Sequence, residues 1–276
     1  MARLPATGVL LVSTDLHGNL RDYKRLIALY EHEEAPGNRP ILLLTGDLVH
    51  GPHPEFNAPG MWPDYLGTAY VDESRALLTH FESFTRTARA FALMGNHDHA
   101  HVGGPVVAKF HDDEAAVFEA GLGADRDRLC AFMATYPLIA VAPCGAVFTH
   151  AAPYATADSL EAFEALDYAG YEGRSIQQMY SSDAVGALLW ARCARPHQAR
   201  RLLAATSLDG APNAFVAFGH DVVREGYEVV GDEQICVSTS YGLDTPQKTY
   251  LRLDLSRRYD SVHDLRPGHE LLSLYS

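Results

Sequence analysis

Five short apolar runs, each ending abruptly in a polar cluster, constrain this chain more than any other feature. Residues 8–12 lead into Ser13-Thr14-Asp15-Leu16-His17, and 41–44 into Thr45-Gly46-Asp47. Residues 90–94 lead into Gly95-Asn96-His97-Asp98, 146–148 into Thr149-His150, and 214–218 into Gly219-His220. Unbroken apolar runs of about four to eight residues suit strands buried on both faces. Open α/β sheets gather their ligands outside the carboxyl ends of such strands. Every run here delivers carboxylate, amide or imidazole groups at that end.

Helical patterns fill the intervals. Tyr23, Leu26, Ile27 and Tyr30 recur at helical spacing over 20–30, with Asn19 as the expected N-cap. Leu77, Leu78, Phe81 and Phe84 share one face of a helix predicted over 74–90, and shorter helices are predicted over 113–120 and 183–190. Strand-like segments at 228–230, 234–238 and 249–253, with a turn at Gly231-Asp232, predict a second sheet packed on the first. Residues 51–72 carry Pro52, Pro54, Pro59 and Pro63 among Phe56, Trp62, Tyr65 and Tyr70, which predicts an ordered loop. That loop either covers a site built around Asp47 or packs on the surface as an insertion. No repeat, low-complexity tract or linker divides the chain, so 1–276 is expected to be one domain with this insertion.

Composition narrows the function classes. A 276-residue chain that is 47% hydrophobic can bury a core without disulfides, so a metal site in it is expected to be functional. Lys and Arg total 22 against 35 Asp and Glu, a net charge of −13 that argues against a nucleic-acid-coating surface. Cys130, Cys144, Cys193 and Cys236 form no CxxC pair, which suggests free thiols in a reducing compartment. The run before Ser13 is too short for a secretion signal or a membrane span, and a cytoplasmic location is expected.

The strand-end residues have the chemistry of a metal centre. Residues two apart at a strand end point to one side, so Asp15 and His17 can face a single ion. Asp47 follows a glycine that permits close backbone approach, and a carboxylate there can bridge two cations about 3.5–4 Å apart. Asn96 offers a neutral oxygen, and His97 projects beside the centre, where it suits a general acid. His150 and His220 complete the set. Such residues are commonplace singly; the ordered series points to a dinuclear centre of Mn first, with Fe or Zn as alternatives.

This series resembles the calcineurin-like metallophosphoesterase superfamily from Asp15 to about Leu253. Gly219-His220-Asp221-Val222-Val223-Arg224-Glu225-Gly226-Tyr227-Glu228 and Leu188-Leu189-Trp190-Ala191-Arg192 are most similar to its phosphoprotein phosphatase (serine/threonine) branch, bacterial and phage-type. The resemblance implies an α/β four-layer fold, with two packed mixed β-sheets flanked by helices. It implies Asp15 and His17 on the first metal, Asp47 bridging, and Asn96, His150 and His220 on the second. It assigns proton donation to His97 and phosphate clamping to Arg192. Val222 stands where many superfamily members place a further metal histidine.

The chain departs from that branch in one place that bears on catalysis. Where the branch reads Gly-Asp-x-Val-Asp-Arg-Gly, this chain reads Gly46-Asp47-Leu48-Val49-His50-Gly51-Pro52. His50 replaces the aspartate that orients the catalytic histidine, and Gly51 replaces a phosphate-binding arginine. The usual Asn-His-Glu is Asn96-His97-Asp98. His50 is a candidate substrate contact, and Arg86, Arg89, Arg195, His53, His99 and His101 are candidates to compensate. The expected activity is hydrolysis of phosphate monoesters by metal-activated hydroxide, on phosphoproteins or small phosphoesters. A dinucleoside polyphosphate or phosphodiester substrate is the alternative, with the 51–72 aromatics stacking a base. A non-enzymatic scaffold ranks last, because all six metal positions are filled.

Overall fold

The computed structural model describes residues 1–208 and 212–275. Its strands are β1 (Ala2–Arg3), β2 (Val9–Ser13), β3 (Ile41–Leu44), β4 (Ala90–Ala92), β5 (Ala140–Ala142), β6 (Ala146–Phe148), β7 (Phe215–Phe218), β8 (Tyr227–Val230), β9 (Gln234–Val237), β10 (Thr249–Asp254) and β11 (Leu271–Ser273). The helices are α1 (Leu20–Glu34), α2 (Ser74–Thr85), α3 (Asn96–His99), α4 (Glu114–Leu122), α5 (Arg126–Met133), α6 (Leu160–Glu164), α7 (Ile176–Ser182), α8 (Ala184–Trp190) and α9 (Pro196–Ala205).

The strands form two mixed sheets, in the orders β11-β10-β2-β3-β4 and β1-β5-β6-β7-β9-β8. The apolar runs are the parallel strands of these sheets: β2, β3 and the edge strand β4 in one, β6 and β7 in the other. Alternation along each strand divides its side chains between two cores. Leu10, Val12, Leu43, Phe148, Ala217 and Leu251 meet in the cluster between the sheets. Leu11, Leu42 and Leu44 turn the other way, onto Tyr23, Leu26, Leu77 and Phe81 of α1 and α2. This double burial is why these runs lack polar alternation.

Asn19 caps α1 as expected, its side chain accepting the Asp22 N–H. The helix predicted over 74–90 stops at Thr85, because Ala90–Ala92 pairs with Leu42–Leu44 and completes the edge of the first sheet. The C-terminal strands do not make a second sheet of their own. β8 and β9 extend the second sheet, whereas β10 crosses to the first, with Leu251 opposite Val12 and Leu253 opposite Leu10. The side chains of Leu251 and Leu253 are thereby sealed between the sheets. Among the described residues no helix is long and apolar enough to cross a membrane.

Candidate metal centre

Asp15 and His17 follow β2, Asp47 follows β3, Asn96 opens α3 beyond β4, His150 follows β6 and His220 follows β7. Asp15, His17, Asp47, Asn96 and His220 line one cleft of about 260 Å³, walled also by Lys109, Trp190, Arg192 and Tyr241, and the fully buried His150 lies directly behind Asn96 and His220. Six non-glycine residues among those described have positive φ, and five belong here: Asp15 (49°), His17 (43°), Asp47 (55°), His50 (67°) and His220 (67°). Such backbone costs about 1–3 kcal/mol per residue and persists only where the surroundings impose it. Gly46 shows the crowding: at φ +104°, an added Cβ would lie 2.6 Å from the Gly95 Cα.

Hydrogen bonds aim these side chains. His17 Nδ1 donates toward the Val49 and His50 carbonyls (both 3.1 Å), and His150 Nδ1 donates to the Thr45 carbonyl (2.9 Å). A carbonyl can only accept, so each Nε2 keeps its lone pair for the cleft, the arrangement metal-binding histidines adopt. Asp47 Oδ2 lies 3.5 Å from Nε2 of both His17 and His150. Its Oδ1 accepts the His97 N–H at 3.0 Å. The Asn96 Oδ1 and the His220 Nδ1 lie 2.9 and 3.1 Å from the same His150 Nε2. Asp15 accepts the His220 N–H at 3.0 Å. Asp98 pins the turn beneath, accepting N–H groups of Asp47 (2.7 Å), Leu48 and Gly95 (both 3.2 Å).

The electrostatics suit cations. Burial pushes the Asp15 carboxyl up to about 6 and raises Asp47 and Asp98 as well, so these carboxylates lack compensating charge. Burial also holds His17, His150 and His220 below the ordinary imidazole value, in the neutral form that ligates metals. Donor atoms of His17, Asp47 and His97 lie within 4.8 Å of one another, and so do those of Asp47, His150 and His220. Asp47 belongs to both groups. Carboxylate, amide and imidazole donors of this kind fit a pair of Mn, Fe or Zn ions.

The structure redirects three expectations. His50 does not reach the cleft as a substrate contact: it is buried behind His97, with Nδ1 2.9 Å from the His97 Nδ1. Its ring is held there between His97 and His101, each 2.9 Å from one of its nitrogens. The 51–72 loop contributes nothing to the cleft wall. It packs at the side, where Tyr70 donates to the His17 carbonyl (3.0 Å) and Thr68 N–H donates to the Leu243 carbonyl (3.1 Å). Of the candidates to compensate, Arg86 pairs with Glu82, Arg89 bonds the Arg39 carbonyl, and His99 bonds the Tyr168 carbonyl. Arg195 and His53 also lie outside the cleft wall, leaving His101 in contact with His50 (2.9 Å).

Lys109 is the residue that sequence reading missed. Its ammonium lies 3.4 Å from the His17 Nε2 and 3.6 Å from the centre of the Tyr241 ring. The Glu114 carboxylate holds its loop by accepting the N–H groups of Lys109, Phe110 and His111. Burial lowers the Lys109 amine to about 8. No periodicity or motif marks this lysine; only its loop's return to the strand ends does. Arg192 stands at the cleft mouth, its Nη1 2.6 Å from the Asp221 carboxylate.

A model of the calcineurin-like phosphoesterase family matches residues 8–238. A search of curated proteins returns no match. Among solved structures, a serine/threonine phosphatase from Saccharomyces cerevisiae with similarity to human phosphatase PP5 superposes with a TM-score of 0.56 at 17% identity. That match spans 87% of this chain and 71% of that one. A cold-active protein tyrosine phosphatase superposes with a TM-score of 0.53 at 13% identity, over 92% of this chain and 77% of that one. At such identities these likenesses establish the fold.

Proposed function

The chain belongs to the calcineurin-like phosphoesterase family, and from that premise we propose that Asp15, His17, Asp47, Asn96, His150 and His220 hold two divalent cations for phosphate monoester hydrolysis. The protein is a hydrolase acting on phosphoester bonds. The observation that carries the site assignment is the position of Asp47 Oδ2, 3.5 Å from Nε2 of two histidines on different sheets. Two cations bound there acidify water and neutralise phosphate oxygens as charge develops. Manganese is the first candidate, with Fe or Zn compatible with the same oxygen and nitrogen donors.

The chain's own groups do the rest. Arg192 exchanges its contact with Asp221 for the phosphate oxygens, as a planar guanidinium suits. Lys109 supplies a second fixed cation where the branch would use an arginine at position 51. His97 gives a proton to the departing oxygen, and Asp98 holds the Asp47 turn in register. Residues 1–276 act as one domain in this reading, since one hydrophobic cluster joins both sheets.

A monoester is favoured over a dinucleotide by the wall of the cleft. Tyr241 is capped by the Lys109 ammonium, the aromatics of 51–72 lie elsewhere, and Trp190 in the wall is only 5% exposed, so a base finds little open ring face to stack on. The resemblance at 219–228 makes a phosphorylated serine or threonine side chain the substrate class of choice.

Reconstitution with Mn, followed by assays on para-nitrophenyl phosphate, its bis ester, a phosphoserine peptide and diadenosine tetraphosphate, tests this reading. Metal-dependent turnover highest on the monoesters is expected; preference for the diester or dinucleotide overturns it. Lys109→Met is expected to lower kcat/KM on para-nitrophenyl phosphate by about 10- to 100-fold, the scale of one charge-assisted phosphate contact. An unchanged KM and kcat in that variant would remove Lys109 from the site.

A further inference from the structure

Behind His97 runs a file of side chains toward the surface. His97 Nδ1 lies 2.9 Å from His50 Nδ1, and His50 Nε2 lies 2.9 Å from His101 Nε2. His101 Nδ1 lies 2.9 Å from the Glu119 Oε1 on α4. The other Glu119 oxygen accepts from Arg126 Nε at 2.6 Å. Phe118 packs its ring against both His50 and His101, with centroids 5.9 and 5.3 Å away, which fixes the file sideways.

We infer that Glu119 is a positioning residue for His97, acting through His101 and His50. This rests on the reading of His97 as proton donor. The hydrogen bonds allow little freedom. Glu119 is a carboxylate that only accepts, so His101 Nδ1–H donates to it. With the rings neutral, His101 Nε2 accepts from His50 Nε2–H, and His50 Nδ1 accepts from His97 Nδ1–H. The His97 Nδ1 is thereby engaged, and Nε2 is the atom left for the cleft. When Nε2 carries a proton, that proton passes to the departing oxygen as the phosphorus–oxygen bond breaks. The Nδ1–H bond to His50 persists throughout. The fixed negative charge that a direct aspartate would supply at position 50 stands two rings away, at position 119. Cys130 Sγ makes a third donor beside His101 and Glu119, but the Arg126 guanidinium on Glu119 opposes a cation there.

Leaving-group dependence tests the inference, because a proton donor matters little when the departing oxygen is already stable. Glu119→Gln is expected to lower kcat/KM on phenyl phosphate by about tenfold or more, and on para-nitrophenyl phosphate by less than about threefold. His101→Phe keeps the ring packing on Phe118 but breaks the file, so it should show the same asymmetry. Adding Glu119→Gln to His97→Ala should cost nothing further. Equal losses on both substrates, or an additive loss in the His97→Ala background, overturn the inference. Nitrogen-15 spectra of the histidine rings give an answer independent of turnover. In Glu119→Gln the ring nitrogens of His101, His50 and His97 should all shift, whereas a shift confined to His101 refutes the file. A wild type without metal-dependent turnover, by contrast, refutes the proposed activity and leaves the spectra to judge the file.

Discussion

Asp47→Asn is expected to lower kcat/KM on para-nitrophenyl phosphate by at least about a thousandfold, the scale on which charge stabilisation at a reacting centre is lost. Asparagine keeps the shape and the Oδ1 contact to the His97 N–H, but it removes the negative charge that lies between His17 and His150. The same substitution has a stability signature. In the metal-free protein, burial raises the Asp47 carboxyl and pushes Asp15 from 3.8 to about 6. An acid raised in the folded state contributes stability that is fully present below its unfolded value. That stability is lost as pH rises through the folded value. The buried histidines, held below their ordinary value, act in the opposite sense, so the signature of Asp47 is a difference: chelated Asp47→Asn should gain stability relative to chelated wild type as pH rises from about 4 through 7. Added Mn should restore the wild type increasingly as pH rises, since protons compete for the same oxygens. Urea midpoints at pH 5 and 8, with and without Mn, check this. Normal turnover by Asp47→Asn, or equal stabilisation of both proteins by Mn, would defeat the assignment of Asp47.

Asp22→Ala is expected to destabilise the protein by about 3–5 kcal/mol, a large part of a typical domain's stability. Asp22 and Lys248 are both buried, and their charged atoms lie 2.5 Å apart. The carboxylate also accepts from Asn19 (2.9 Å), Ser240 (2.5 Å) and Tyr275 (2.6 Å), joining α1, the loop after β9 and the C-terminus. Removing it leaves an ammonium in the interior without its counter-charge. The paired change Asp22→Leu with Lys248→Met removes both charges and should cost far less. Denaturant unfolding of the three proteins decides the matter; a loss below about 1 kcal/mol in Asp22→Ala would mean that Lys248 finds other compensation. Ser240 precedes Tyr241, which packs on His17 with centroids 4.5 Å apart, so this network also supports the cleft floor.

The strand-end residues were legible because their placement follows a local rule. A buried parallel strand is an unbroken apolar run, and the polar residues that end it must emerge at its carboxyl edge. Asp15, His17, Asp47, Asn96, His150 and His220 were found in this way, and all six line or adjoin one cleft. The α/β class followed from the same runs alternating with helical spacing. The two-sheet partition did not: nothing in 249–253 states that β10 pairs with β2 of the first sheet rather than joining β8 and β9 in the second.

The residues around the ligands followed no such rule. Lys109 and Tyr241 lie on loops and Glu119 on a partly covered helix face, where no period records what they meet. The partner of His50 depends on what closes behind it, which is His101 from the turn after α3, backed by Glu119 of α4. Local patterning records which face of an element avoids water, and so it located the strands and the candidate ligands at their ends. Long-range packing brings distant polar groups to hydrogen-bonding distance, and it alone placed the lysine over the cleft and the histidine file behind His97.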